Sequence, residues 1–237
     1  MSDAALLKVS GLTSGYGSET VLQGVDLAIG PGELVAVIGR NGVGKSTLMK
    51  TLTGLLKVRS GTIHLDGRDV SSDGADTRAR AGIGYIPQGR EVFPELTIRE
   101  NLVVGETAGR GRTTPDYDRV YKSFPILKER ARQRAGTLSG GQQQQLAIAR
   151  AMMGDPKLML LDEPSEGIQP SIIKDIARNM RALNAETGVA VLLVEQNLDL
   201  IVTLADRGYV MEKGRVVAEL DGDAIRDRAS VRKYLTI

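Results

Sequence analysis

Three stretches of the chain are apolar without interruption: LVAVIG (34–39), LMLLD (158–162) and VAVLLVE (189–195). None alternates with polar residues. Strands buried on both faces read this way, as in a parallel sheet covered by helices. The first two lead directly into helical patterns over 45–55 and 171–183. A short helical stretch over 198–204 follows the third. Strand and helix in that order predict a doubly wound α/β core. Other parts look antiparallel. YVMEKGRVVAEL (209–220) is two β-rich runs around a Lys213-Gly214 turn, a hairpin. The residues up to Gly39 read as short strands with Gly-rich turns. Between Gln88 and Leu138 the period turns helical: PELTIRENLVVGE opens on a Thr97 cap, and AGRGRTTPD (108–116) is a loop. The chain therefore divides into a core of 1–87 and 155–237, with an antiparallel β part, and a helical subdomain over 88–154. All of it belongs to one domain.

Composition narrows the classes. Lys+Arg number 31 against Asp+Glu 29, a net charge of +2, which gives no support for nucleic acid as a partner. There are no cysteines, so disulfides and thiolate metal sites are excluded. The N-terminal MSDAALLKVS lacks the pattern of a signal peptide. No apolar run approaches the ~18 residues of a membrane span. Any membrane association is expected to run through a partner.

GRNGVGKST, comprising Gly39, Arg40, Asn41, Gly42, Val43, Gly44, Lys45, Ser46 and Thr47, fits G-x-x-x-x-G-K-[ST] between a buried strand and a helix. Its glycines let successive N–H groups point into one concavity, and the helix start adds partial positive charge. Lys45 should reach the β- and γ-phosphates of a nucleotide, and Ser46 should ligate Mg²⁺. Asp162 and Glu163 follow an apolar strand, at the sheet edge where α/β proteins bind ligands. Asp162 should hold Mg²⁺, through water, and Glu163 should polarise an attacking water. Gln88, in YIPQGREVFP, is a candidate to sense the metal and the γ-phosphate. Tyr16, in a Gly-rich early loop, can stack on adenine. An ordinary exposed tyrosine or glutamine is the competing reading of each.

LSGGQ (Leu138, Ser139, Gly140, Gly141, Gln142) is a second Gly-rich loop at a helix start, far from the first. The ordered set GRNGVGKST, PQ, LSGGQ and LMLLDEP resembles the ABC-type ATPases, over nearly the whole chain. The resemblance implies an α/β P-loop NTPase core with a mostly parallel sheet, an antiparallel β subdomain and a helical subdomain. It implies ATP hydrolysis with Mg²⁺ at the cytoplasmic face of a membrane. The expected partners are a second ABC ATPase subunit, transmembrane permease subunits and, indirectly, an extracytoplasmic solute-binding protein. In that family two ATPase subunits pack head to tail, and the signature loop of one completes the ATP site of the other. Here that loop is 138–142. Ser139 as a helix cap is ordinary; the two glycines suggest an anion cradle.

PQGREVFPELTIRENL, DEPSEGIQPSII and LLVEQN are similar to the ATPases of branched-chain amino acid importers and their urea and short-amide relatives. SEGIQPSII and QQQQLAIAR look closest to the urea type. Two departures stand out. Gln196 occupies the place of the histidine that contacts the γ-phosphate in most members, and Gln169 that of an aspartate facing across the dimer. They point to a heterodimer; a homodimer in which glutamine suffices is the alternative. Two other classes compete: an ABC ATPase not tied to transport, which would need a long coiled-coil insertion or a duplicated cassette, and a P-loop kinase or GTPase, against which the signature loop speaks. His64, the only histidine, lies in an alternating stretch and is expected on the surface.

Overall fold

All three apolar runs become strands of one sheet. The computed structural model describes residues 5–109 and 114–235. The chain opens with β1 (Leu7–Ser14), β2 (Leu22–Ile29) and β3 (Leu34–Ile38), then α1 (Lys45–Leu52). β4 (Ser60–Leu65) and β5 (Arg68–Asp69) precede α2 (Ala75–Ala81) and β6 (Ile83–Ile86). Four helices follow: α3 (Ile98–Gly109), α4 (Tyr117–Ser123), α5 (Pro125–Glu129) and α6 (Gly140–Met152). β7 (Leu158–Asp162), α7 (Pro170–Thr187), β8 (Ala190–Glu195) and α8 (Leu198–Leu204) resume the alternation. β9 (Arg207–Glu212), β10 (Arg215–Leu220), α9 (Gly222–Arg226) and α10 (Arg228–Leu235) follow.

The larger sheet has the order β10-β9-β3-β8-β7-β6, parallel throughout except for β10 against β9. The smaller, β2-β1-β4-β5, is antiparallel. Successive residues of a strand face opposite ways, which explains the unbroken apolar runs. Met159, Leu161, Val191 and Leu193 pack towards α3, α6 and α7. Their neighbours Leu158, Leu160, Leu192 and Val194 pack with α1 against the antiparallel sheet. Both faces of the strand are thus in core, and β3, β7 and β8 are buried at every position.

Several boundaries differ from the sequence expectation. The 209–220 hairpin forms, but β9 pairs in parallel with β3, so it extends the large sheet rather than the antiparallel part. β6 is a further parallel strand, too short to stand out as an apolar run. α1 ends at Leu52, near Gly54 with φ +80°. α7 runs the longer span from Pro170, in its first turn, to the left-handed Gly188 that stops it. Thr97 caps α3 as expected: its Oγ1 accepts from the Glu100 N–H at 3.2 Å, and Glu100 Oε2 accepts the Thr97 N–H at 2.7 Å. Of the expected 108–116 loop, residues 110–113 lie outside the described residues, and Ala108 and Gly109 are helical. His64 is half-buried on β4, opposite Lys8 and Asp69. Among the described residues no helix is long and apolar enough to cross a membrane.

Candidate functional site

β3 and β7 point the same way, separated by β8, so the loops after them open on one edge of the sheet. The loop after β3 turns through Gly42 (φ +79°) and Gly44 (φ +109°) into α1. At Gly39 any side chain is excluded, since a Cβ would lie 2.4 Å from the Met211 carbonyl oxygen. Lys45 is buried, and its Nζ donates to the carbonyls of Gly39 (2.9 Å) and Arg40 (3.0 Å). The ammonium also lies 3.3 Å from Glu163 Oε1.

Ser46 Oγ donates to Asp162 Oδ1 at 3.0 Å, and the Tyr85 hydroxyl donates to Asp162 Oδ2 at 3.3 Å. Burial raises the Asp162 carboxyl above its ordinary pKa, and the neighbouring Glu163 adds to this; the two hydrogen bonds and Lys45 oppose it. Burial and Asp162 likewise raise Tyr85. Glu163 adopts a left-handed backbone (φ +48°), tied by its N–H to the Val194 carbonyl at 2.9 Å. Its carboxylate receives Gln196 Nε2 (2.9 Å) and Gln88 Nε2 (3.4 Å) besides Lys45. Gln196 Nε2 also donates to Asn41 Oδ1 at 2.6 Å.

An open cleft of about 410 Å³ takes in several of these groups, its lining including Tyr16, Gln88 and Glu163. Tyr16 is 44% exposed. The cleft also takes in Asn41, Gly42, Gly44 and Thr47. Arg40 contributes its carbonyl to Lys45, and Val43 is half-buried against the core. Of the three residues expected at a metal, Ser46 and Asp162 are joined directly, whereas Gln88 meets them only through Glu163.

Residues 138–142 are not brought to this cleft. Leu138 is buried, and Ser139 caps α6 in a reciprocal box with Gln142. Both glycines have packing reasons within the chain. A Cβ on Gly140 would lie 2.9 Å from Arg90 Nη1, and one on Gly141 would lie 2.7 Å from Ile172 Cγ2. The loop is therefore a close-packed helix start as well as an open one.

Three residues went unnoticed in the sequence. Tyr85 stands three places before Gln88 and holds Asp162. Arg90 contacts the loop after β7. Glu195 ends an otherwise apolar strand, and a carboxylate in that place is itself the signal. It is 3% exposed and accepts N–H groups of Gln196 (2.8 Å) and Asn197 (2.9 Å) on Oε1 and of Ser165 (3.2 Å) on Oε2. Burial raises its pKa against those bonds.

The hydroxyl of Ser46 and the carboxylate of Asp162 are hard oxygen donors, and burial makes a cation beside Asp162 favourable. No group of three or more acidic or imidazole side chains gathers among the described residues. That set suits Mg²⁺, which is held by one or two carboxylates plus substrate phosphates.

Residues 22–166 match the family model described as ABC transporter. The chain belongs to the ABC transporter family. It is 45% identical over 231 residues to the high-affinity branched-chain amino acid transport ATP-binding protein BraG of Pseudomonas aeruginosa, covering 96% of this chain and 97% of that one. It is 36% identical over 212 residues to the probable branched-chain amino acid transport ATP-binding protein LivF of Archaeoglobus fulgidus, covering 89% and 90%. Its fold superimposes on a nucleotide-free ATP-binding cassette from an ABC transporter with a TM-score of 0.80 and 28% identity, over 98% of this chain and 95% of the other. This ABC protein is an ATP-binding and hydrolysing transporter subunit coupled to solute import. Membership of the family implies binding of ATP and Mg²⁺, dimeric assembly and permease partners.

Proposed function

We propose that the cleft binds ATP between Tyr16 and the Gly39–Thr47 loop and hydrolyses it against Glu163, and that the energy drives uptake of a small amino-acid or amide solute. The observation that carries the reading is the convergence of Lys45, Gln88 and Gln196 on the Glu163 carboxylate, beside the Ser46–Asp162 pair. Lys45 and the backbone N–H groups of the loop hold the phosphates. Ser46 and Asp162 hold Mg²⁺, which when bound offsets phosphate charge. Glu163 takes a proton from the attacking water, and Gln196 and Gln88 orient that carboxylate. Tyr16 stacks on the base.

Residues 138–142 act on the ATP of a second subunit. Ser139 and the first N–H groups of α6 form the anion-facing end. Gln169, at the N-cap of α7, is exposed and makes no side-chain capping bond, so its amide is free to face that subunit. Together with Gln196 it supports a heterodimer. Residues 88–154 serve as the helical subdomain on the core of 1–87 and 155–237.

A groove of about 320 Å³ beside 93–108 carries the connection to the permease, at the cytoplasmic face of the membrane. Leu55 (59% exposed), Phe93 (44%) and Val104 line it with Arg150. A short permease helix with apolar side chains would cover it. The solute reading draws on two sources. The relatives' names point to branched-chain amino acids, and the SEGIQPSII stretch resembles the urea type. The test is Mg²⁺-dependent phosphate release by the purified chain, followed by uptake of labelled leucine and urea in cells carrying the wild type or Lys45→Ala. Uptake of neither solute by the wild type would reject the solute class.

A further inference from the structure

Gly89 (φ +83°), Arg90 (φ +72°) and Glu91 (φ +45°) form three consecutive left-handed residues directly after Gln88. For the last two, which carry side chains, that backbone is strained and persists only where surrounding bonds hold it. Two arginines do so. Arg90 Nη2 donates to the carbonyls of Glu166 (2.9 Å) and Gly167 (3.4 Å), in the loop after β7. Arg150, near the end of α6, donates from Nη1 to the Glu91 carbonyl at 2.8 Å. The Arg90 guanidinium also lies against Gly140, close enough that a Cβ there would meet Nη1, Cζ and Nη2 within 3.1 Å. One side chain thus touches the turn after Gln88, the loop that begins with Glu163, and the first residue of α6.

We infer that Arg90 is a positioning residue that transmits the state of this chain's own site, through the turn 89–91, to the 138–142 loop that serves the partner's site. This rests on the dimeric ATPase reading above. Gln88 and Glu163 share a hydrogen bond at the cleft, and a change there moves the chain on either side of Arg90: the turn that carries it and the carbonyls it holds. The guanidinium must follow, and Gly140 has no side chain to keep it at a distance. One guanidinium nitrogen holds both carbonyls while the rest of the planar group covers Gly140; a compact ammonium lacks the extra atoms for the second contact.

The test compares wild type, Arg90→Ala and Arg90→Lys in the assembled transporter, with Mg-ATP affinity of each isolated chain measured separately. Arg90→Ala should lower turnover at saturating Mg-ATP about tenfold, the loss expected for a charge-assisted contact, with KM and the isolated chain's affinity held within about threefold. Arg90→Lys, the gentler change, should lose at least about threefold. Full turnover in either variant overturns the proposal. So does a fall in affinity matching the fall in turnover, because Arg90 would then act in its own site. A wild-type chain that neither binds nor hydrolyses ATP would instead reject the ATPase reading itself.

Discussion

Gln196 bridges two residues that line the cleft: its Nε2 reaches Asn41 Oδ1 at 2.6 Å and Glu163 Oε1 at 2.9 Å. A neutral amide thereby ties the phosphate loop to the carboxylate after β7. Glutamine cannot become a cation near neutral pH as histidine can, so it fixes Glu163 without adding charge. Gln196→Ala should lower turnover about tenfold, through loss of a hydrogen bond to a charged group. Steady-state phosphate release at saturating Mg-ATP measures this, and an unchanged rate would make the glutamine a bystander. In the heterodimer reading the isolated chain turns over slowly, and mixing with the second ATPase subunit gives a large gain.

Lys45 and Glu163 should separate binding from chemistry. Lys45→Ala removes the buried ammonium and should weaken Mg-ATP binding by roughly 10–100-fold, the loss of a bond to a charged group. Glu163→Gln keeps Lys45 and the backbone cradle, so binding persists while hydrolysis falls by roughly 10²–10⁴-fold. Calorimetric titration and phosphate release on the same preparations test both.

The groove gives a coupling prediction. Phe93→Asp or Leu55→Asp removes an apolar wall of the groove and places a charge there, away from the cleft. Solute uptake should collapse, while phosphate release by the isolated chain stays within about twofold, since surface substitutions usually change stability by only ~0.5 kcal/mol. Undiminished uptake in both variants would remove the groove from the coupling route.

Glu33 predicts a pH dependence of stability. Burial pushes its carboxyl up, but hydrogen bonds from Arg207 and the Gly30 N–H outweigh it, so the folded pKa lies below the ordinary 4.5. A lowered carboxylate stabilises the fold above the unfolded pKa, and that contribution is lost as pH falls through the folded one. The advantage of wild type over Glu33→Gln should therefore be full near neutral pH and shrink below 4.5. The pair is partly exposed, which limits the gap to about 1 kcal/mol. Urea midpoints across that range measure it.

What could be read from the sequence was local. The Gly39–Thr47 loop joins a strand and a helix within a dozen residues, and Asp162 and Glu163 end an apolar run. β6 stayed hidden because four residues carry too little periodicity. The roles of Tyr85 and Arg90 depend on contacts 77 and 76 residues away along the chain, which no local pattern encodes, whereas Glu195, bonded to the next two N–H groups, was marked locally by a carboxylate ending an apolar strand. Gly140 and Gly141 show the same limit. Their spacing suggested an anion cradle, yet a Cβ on Gly141 would also crowd Ile172, and one on Gly140 would displace the Arg90 guanidinium.

If ATP is held between this chain's cleft and the 138–142 loop of another subunit, it should join the two subunits. Sedimentation of the Glu163→Gln chain mixed with its second ATPase subunit, with and without Mg-ATP, measures this. Mg-ATP should drive the mixture into a two-subunit species, and Ser139→Arg in this chain should abolish or sharply weaken that species while its own ATP affinity is kept. Bound ATP with no change in mass, or a dimer indifferent to Ser139→Arg, would contradict it.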